Sequence, residues 1–489
     1  MKLNDLINDK RLSKNNINIL GLSDNSKEIK KNYIFFFKNT KNSDSNHIIE
    51  AINKGAKVVI YKDTKYFNTK KFHNQCIFYK VKDIEKSMSL VSKKFYRIKK
   101  NSIKIYGVTG TNGKSSVVSY ISQLLQNNNE KCAIIGTLGS GVPPKIKNTS
   151  LTTPNIINIY KSICEFQKKI IPNLAMEISS HGLSQKRVYG LDFDTVIFTN
   201  LTKEHLDYHK NMKNYFNTKL SLFTDYNNKK KVISIDNYYG KKIFNIFKKK
   251  DYIRTVSLKD KSADFYASDI IYNENGLKFN INSKYGVKEI STKLYGEFTI
   301  ENILLAIASL AKNKKKYNLY TEKICELNPL EGRLNKYARK KFPIVFIDYA
   351  HTPDAMRKIL VSIKKHFPNK EIITLFGCGG DRSYEKRELM GMIADKYSEK
   401  IIITNDNPRS ENPRKIAEQI VNGINKKSNF KIVLDRRKAI IECVSKKNID
   451  RIVLILGKGH EKKQIIKENI IDFSDEKEVL RVFKLWANI

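Results

Sequence analysis

The sequence predicts an α/β protein built in three parts around parallel sheets. Three observations predict it. Short apolar strands alternate with helices over most of the chain, a glycine-rich turn joins one such strand to a helix at 107–115, and the alternation begins afresh after Pro329-Leu330-Glu331-Gly332-Arg333. A chain of 489 residues suits three domains of ordinary size, each able to bury its own core. The expected limits are 1–98 for a small N-terminal α/β domain, 99–330 for a central parallel-sheet domain and 331–489 for a Rossmann-like C-terminal domain.

In the first part, 33–37 and 58–61 read as strands, 47–54 and 84–96 as helices, and the basic stretch 97–101 closes it. In the second, 103–108 is a strand and 115–125 a helix, with Val117, Val118, Ile121, Leu124 and Leu125 at helical spacing. Strands follow at 133–136, 174–178, 196–200 and 232–235. A peripheral antiparallel set is expected at 266–269, 277–281 and 287–292, and helix returns at 302–311. In the third, 344–347, 371–376, 400–404, 431–434 and 451–456 are strands separated by helices. The sequence contains neither internal repeats nor low-complexity linkers.

A formal net charge of +42 would ordinarily point to nucleic acid. Here the excess is mostly lysine, spread beside abundant Asn and Ile, with no basic arm and no aromatic-basic repeat. That is the bias of an AT-rich genome, so no specific nucleic-acid partner is expected. The six cysteines include no Cys-x-x-Cys pair, which indicates neither a zinc knuckle nor a disulfide framework. The start, 1–16, has no apolar signal region, and no segment approaches a membrane span. A cytoplasmic, monomeric protein without membrane attachment is expected.

The run Gly107-Val108-Thr109-Gly110-Thr111-Asn112-Gly113-Lys114-Ser115 carries the strongest chemical signal. Unpaired N–H groups and the positive dipole end at a helix N-terminus favour an anion, and glycines let the backbone close on it. Lys114 adds charge, and the Ser115 hydroxyl suits Mg2+. A standard P-loop places its first glycine where Val108 stands, so this is a variant beginning at Gly107 or Gly110. After the strand at 174–178, Glu177 sits near the carboxyl edge of the sheet, where parallel α/β folds bind ligands and where a carboxylate can hold a metal. Asn200 to His209 follows the next strand. His205 is expected to be a metal ligand there and His209 structural, with Leu206 and Tyr208 in a loop.

The turn Phe376-Gly377-Cys378-Gly379-Gly380-Asp381-Arg382 lacks the last glycine of a dinucleotide fingerprint, and reads better as a glycine turn exposing Arg382. In Asp406-Asn407-Pro408-Arg409 the proline stiffens the turn that presents Arg409. Arginine pairs bidentately with carboxylates, so a pocket with Arg382 and Arg409 suits a ligand with free carboxylates; a surface ion pair is the plain alternative.

Together these segments resemble the ATP-dependent Mur ligase family over nearly the whole chain. The resemblance rests on Thr109 to Ser115, on Thr152-Thr153-Pro154, and on Ser179-Ser180-His181-Gly182-Leu183 with Gln185 and Arg187. It also rests on Asn200 to His209, Asp348-Tyr349-Ala350-His351-Thr352-Pro353, the turn at 377–382 and Gly457-Lys458-Gly459-His460-Glu461. It implies the three-domain architecture of that family, with a central P-loop ATPase domain. Gly110, Thr111, Asn112, Gly113, Lys114, Ser115, Ser116, Asn302, Arg333 and Asp348 would bind ATP. Ser26, Thr152, Thr153, Ser179, Gln185 and Arg187 would bind UDP-N-acetylmuramoyl-L-alanyl-D-glutamate. Lys114, Glu177, His205 and Lys219 would be catalytic. Lys219 matches the lysine that the family carboxylates with CO2, and with Ser115, Glu177 and His205 this carbamate would hold Mg2+.

Asp406 to Arg409 matches the signature of the members that add meso-diaminopimelate. Arg382, Asp406, Asn407, Pro408, Arg409, Gly457 and Glu461 would form the amino-acid pocket, the arginine reading the extra carboxylate and Glu461 the ammonium. The N-terminal part departs from the family: Asp24-Asn25-Ser26-Lys27 stands where Asp-Ser-Arg is usual, and Ser43-Asp44-Ser45 replaces Asp-Gly. The implied reaction is ATP-driven amide formation through an acyl phosphate in peptidoglycan synthesis. Three alternatives stay open: a lysine-adding relative, a folylpolyglutamate synthase-like ligase, and a basic nucleic-acid-binding protein with a vestigial ATPase.

Overall fold

A computed structural model describes residues 1–9, 17–38, 46–62, 72, 74–248, 252–382, 384–425, 429–445 and 448–485. The Ser43-Asp44-Ser45 segment lies outside the described residues. The chain forms two compact units: Met1–Thr109, Glu130–Val196 and Asn217–Lys231 make the first, and Gly110–Asn129, Ile197–Phe216 and Val232–Ile489 the second.

In the first unit, β1 (Gly21–Ser23), β2 (Tyr33–Phe37), β3 (Ala56–Tyr61) and β4 (Ile77–Lys80) form a parallel sheet in sequential order. The helix Asn46–Asn53 lays Ile48, Ala51 and Ile52 on Phe35, Phe37 and Val59. A second sheet contains β5 (Lys104–Thr109), β6 (Cys132–Gly136), β7 (Gly139–Val142), β8 (Lys145–Lys147), β9 (Asn173–Glu177) and β10 (Phe193–Phe198), ordered β10-β5-β9-β6-β7-β8. Strands β5, β9 and β6 are parallel and buried on both faces, which is why they read as continuous apolar runs. The register opposes Val108 to Glu177, so both strands end at one edge. The chain leaves this unit within β10 and again within β11 (Asn228–Ser234).

In the second unit, β12 (Ile253–Ser257), β13 (Phe265–Asn273), β14 (Gly276–Ser283) and β15 (Gly286–Thr292) lie in order, β12 parallel to β13 and the remainder antiparallel, as expected for the peripheral set. The helix Lys114–Gln126 packs on Glu297–Leu310, whose side chains from Thr299 to Leu310 are buried almost all round, the mark of an internal helix.

The final sheet holds β16 (Asn335–Tyr337), β17 (Ile344–Asp348), β18 (Ile372–Phe376), β19 (Lys400–Ile403), β20 (Phe430–Ile432) and β21 (Ile452–Leu456), ordered β16-β17-β21-β18-β19-β20. Only β16 is antiparallel. Helices Pro353–His366, Glu385–Tyr397 and Pro413–Val421 cover one face through Met356, Leu360, Met390 and Ile420, and Arg436–Cys443 and Asp475–Leu485 the other through Ile440, Val479 and Val482. Register aligns Asp348 with Leu456, Leu375 with Ile455 and Phe376 with Ile403, so the turns after β17, β18, β19 and β21 gather at one carboxyl edge. A hairpin, β22 (Lys463–Ile466) with β23 (Asn469–Asp472), follows. The sequence did not mark it.

Candidate functional site

In the second unit the phosphate loop is tied to the segment after β10. Thr111 N–H donates to Asn200 O (2.8 Å) and Asn112 N–H to Asn200 Oδ1 (2.9 Å), while the Thr199 hydroxyl donates to Asn112 O (2.6 Å). The Thr111 hydroxyl meets the Tyr215 hydroxyl at 3.1 Å and accepts from Thr202 N–H at 3.0 Å. Gly113 caps the helix Lys114–Gln126 at φ 86°, and a Cβ there would run into the Asn302 amide. Glycine is thus required twice over. Asn302, assigned to ATP by resemblance, therefore stands against the loop itself. The Lys114 ammonium donates to Gly110 O (3.0 Å) and Thr111 O (2.8 Å). Ser115 and Ser116 follow in the helix's first turn, where N–H groups have no intrahelical acceptor.

His205 has φ 55° and precedes a short helical turn, Leu206–His209, where a loop was expected. His209 is buried and stacks on Tyr215 with ring centroids 4.9 Å apart, in keeping with a structural role. Glu204 Oε2 lies 3.8 Å from His205 Nε2, and its Oε1 lies 3.3 Å from His351 Nε2. Burial would raise the Glu204 carboxyl, but the His351 hydrogen bond and the charges of His205, His351 and Lys114 pull it down to about 2.

In the first unit the Glu177 carboxylate is buried at the end of β9 and accepts from Thr137 N–H (2.8 Å) and the Thr137 hydroxyl (3.2 Å), while Thr152 Oγ1 lies 3.2 Å from that hydroxyl. Thr153 is a hub: its hydroxyl donates to Glu177 O (2.8 Å) and accepts from Ser179 N–H (3.0 Å), and its carbonyl accepts from Arg187 (2.9 Å). The Ser179 hydroxyl caps the helix Ser180–Ser184, and Gln185 accepts from Arg187 Nε at 2.9 Å. Ser26 is buried and donates to Glu50 at 2.5 Å. Asp24 accepts from Asn155, next to the Thr-Thr-Pro motif, at 2.6 Å. Lys219 is almost wholly buried in the helix Met212–Thr224.

At the carboxyl edge of the last sheet, Asp348 accepts from Leu334 N–H and Ala350 N–H, both at 2.7 Å, which fixes the turn carrying Arg333; that guanidinium lies 4.9 Å over the Tyr349 ring. Burial lifts the Asp348 carboxyl to about 6, against the Arg333 charge and the two N–H groups. Burial also raises Asp406, against the charges of Arg436 and Lys458. Gly457 at φ 109° lies beside Asp406, whose carboxylate a Cβ would strike. Asn407 Nδ2 donates to Glu461 Oε2 at 2.8 Å, and Arg409 donates to Gly380 O at 2.7 Å, with Pro408 buried between them. Asn407, Arg409 and Glu461 thus stand on turns of one sheet edge. Arg382 does not join this hydrogen-bonded set: it is exposed and donates to Asp381 O at 3.4 Å.

The Mur ligase middle domain matches residues 108–310, and the Mur ligase glutamate ligase domain residues 332–459. The UDP-N-acetylmuramoyl-L-alanyl-D-glutamate--2,6-diaminopimelate ligase of Buchnera aphidicola subsp. Schizaphis graminum is 39% identical to this chain over 94% of each chain. The chain belongs to the Mur ligase family. The enzyme of that same name from Wigglesworthia glossinidia brevipalpis is 40% identical, covering 95% of this Mur ligase and 94% of its own length. A solved structure of a UDP-N-acetylmuramoyl-L-alanyl-D-glutamate--2,6-diaminopimelate ligase superposes with TM-score 0.72 at 27% identity, over 100% of this chain and 99% of the other.

Three features of this Mur ligase escaped the sequence reading. Glu204 and His351 lie inside quoted motifs, but 147 positions separate them. The hairpin braces the turn after β19: Arg409 N–H donates to Ile465 O (3.1 Å), Lys467 N–H to Arg409 O (2.7 Å), and Gln464 to Asp406 O (2.8 Å). Arg436, wholly buried with Asp475 in a bidentate pair of 2.7 and 2.8 Å, donates to Asn405 O (3.3 Å) and Leu456 O (3.0 Å), stapling the ends of β19 and β21. The one available signal was that arginine is scarce in a chain whose cations are mostly lysine.

Proposed function

We propose that the protein is the ATP-dependent ligase that joins meso-2,6-diaminopimelate to the D-glutamyl γ-carboxylate of UDP-N-acetylmuramoyl-L-alanyl-D-glutamate in peptidoglycan synthesis. The observation that carries this reading is near-full-length similarity to relatives named for that reaction, at 39% and 40% identity. The turn after β19 supports the choice of amino acid, since Asn407 is bonded to Glu461 and Arg409 is braced on both sides of its backbone. An arginine fork suits the second carboxylate of diaminopimelate, and a glutamate suits its ammonium.

In the reaction, the loop N–H groups and Lys114 hold the polyphosphate while the γ-carboxylate attacks the terminal phosphorus of ATP. ADP leaves and an acyl phosphate remains. Lys114 offsets charge on the transferring phosphoryl group, so its chief contribution is electrostatic. The amine of diaminopimelate then attacks the acyl carbon, the amide forms and phosphate departs. We assign Gly110 to Ser116, Asn302, Arg333 and Asp348 to ATP, and Ser26, Thr152, Thr153, Ser179, Gln185 and Arg187 to the muramyl dipeptide. Arg382, Asp406 to Arg409, Gly457 and Glu461 are assigned to the amino acid. The Thr153 hydroxyl, with two backbone partners, suits a residue that shapes the site around Thr152 and Ser179.

Ser115, Glu177, His205 and Lys219 as its carbamate are assigned to Mg2+. Ser115 and Glu177 would hold one ion beside the ATP phosphates, and His205 with carbamylated Lys219 a second beside the acyl phosphate, each ion taking its remaining oxygens from phosphate and solvent. Mg2+ there would neutralise charge on the phosphates. We further propose the domain limits 1–98, 99–330 and 331–489. We also propose a monomeric, cytoplasmic protein without a specific nucleic-acid partner; among the described residues no helix is long and apolar enough to cross a membrane.

The deciding experiment is phosphate release with the purified muramyl dipeptide nucleotide and ATP, comparing diaminopimelate with lysine. Release stimulated by diaminopimelate alone is expected. Preference for lysine would make this a lysine-adding ligase, and release with neither would refute the reading.

A further inference from the structure

The cluster beside the proposed amino-acid pocket contains a cation that no step above uses. Lys458, in the turn after β21, is wholly buried at its side chain, whereas Glu461 three residues on is 32% exposed. The Lys458 ammonium donates to Asn407 Oδ1 (3.2 Å), Glu461 Oε2 (3.1 Å) and Lys463 O (2.7 Å). Three N–H donors thus meet three acceptors, on Asn407, Glu461 and Lys463. A lysine held this way acts as a strut, because each of its partners is fixed relative to the other two.

The strut determines two orientations. Asn407 Oδ1 accepts from both Lys458 and Ile465 N–H (3.0 Å), which leaves its Nδ2 to face Glu461 Oε2 at 2.8 Å. Glu461 Oε2 therefore receives two donors. Its Oε1 takes no hydrogen bond among the described residues. A carboxylate anchored by one oxygen and half open at the other is prepared for an incoming ammonium, with little rotamer freedom left to lose on binding.

We infer that Lys458 is the positioning residue of the amino-acid site, holding Asn407 and Glu461 so that Glu461 Oε1 receives the substrate ammonium. This rests on the proposed amino-acid pocket. Lys458 touches no substrate in this role; it acts through its two partners.

The test is a steady-state comparison of wild type, Lys458→Met and Lys458→Gln, with KM measured separately for meso-diaminopimelate, ATP and the muramyl dipeptide nucleotide. Lys458→Met keeps the length and loses every donor. Losing the charge-assisted bonds to Asn407 and Glu461, along with that to Lys463 O, is expected to raise KM for diaminopimelate about tenfold or more while the other two KM values stay within about twofold. Lys458→Gln, which keeps two N–H donors, is expected to recover part of that loss, and it carries the test alone if Lys458→Met does not fold. In a double-mutant cycle with Glu461→Gln the effects on KM for diaminopimelate are expected to be less than additive. Unchanged KM for diaminopimelate, equal rises in all three KM values, or full additivity with Glu461→Gln would overturn the inference. Wild type separates the two readings: if it releases no phosphate with diaminopimelate the substrate assignment falls, whereas normal wild-type turnover beside an unaltered variant removes only the role of Lys458.

Discussion

Glu204 Oε1 and His351 Nε2 meet at 3.3 Å and join the segment after β10 to the segment after β17. His351 is itself oriented by its other nitrogen, which lies 2.9 Å from Tyr349 O, and the Lys114 charge also bears on Glu204. One carboxylate therefore meets two imidazoles and feels the charge of the phosphate-loop lysine. Anything that moves Lys114 alters the charge felt where the two segments meet.

The depressed Glu204 carboxyl has a defined consequence for stability. Its ordinary value is 4.5 and its folded value about 2, so its contribution is complete above pH 4.5 and is lost as pH falls through about 2. Urea midpoints of wild type and Glu204→Gln are expected to differ most above pH 4.5 and to converge toward pH 2. Parallel curves across that interval would show that the carboxylate contributes nothing.

Lys114→Ala is expected to reduce ligation by at least about a hundredfold, the scale of losing one preorganised electrostatic contact. Lys114 donates to two carbonyls of the loop, so circular dichroism and melting should change little. Turnover near the wild-type rate would reject the assignment.

Arg409→Ala is expected to raise KM for diaminopimelate by tenfold or more, on the order of 1.5–3 kcal/mol for a charge-assisted pair, with little effect on KM for ATP. Activity with lysine, which lacks the second carboxylate, should change much less. Equal losses for both amino acids would mean that the arginine does not read that carboxylate.

Arg436→Met is expected to destabilise the protein by about 3–5 kcal/mol, since it leaves Asp475 buried without its partner. Arg436→Met combined with Asp475→Leu should recover much of the loss. Chemical denaturation gives both values; a loss below about 1 kcal/mol for the single variant would show that the pair does not hold the strand ends.

The parallel strands were legible because each is a short, largely apolar run buried on both faces, and the phosphate loop because glycine meets the demands at positions such as Gly113. Helix and strand limits shifted by a few residues: 431–434 is observed as Phe430–Ile432, and 206–209, read as a loop, closes one helical turn. The hairpin stayed hidden because its turn, Lys467-Glu468, contains neither glycine nor asparagine, although Lys467 adopts φ 53°. Arg382 is exposed on the glycine turn, as its motif suggested, and that turn meets Arg409 through Gly380 O. Pairings such as Asn407 with Glu461 arise only when separate strands end at one edge, and nothing local in either segment announces the other.

The outer strand of the hairpin is exposed along its whole length, whereas Gln464 on the inner strand is buried against Asp406. Side chains of a strand alternate in direction, so a single residue inserted between Glu461 and β22 would swing Gln464 toward solvent and slide the backbone that clasps Arg409. The proposed discrimination between diamino acids is thereby coupled to chain length at the periphery, where insertions are ordinarily harmless, and a drift in spacing there would retune it with every assigned residue intact.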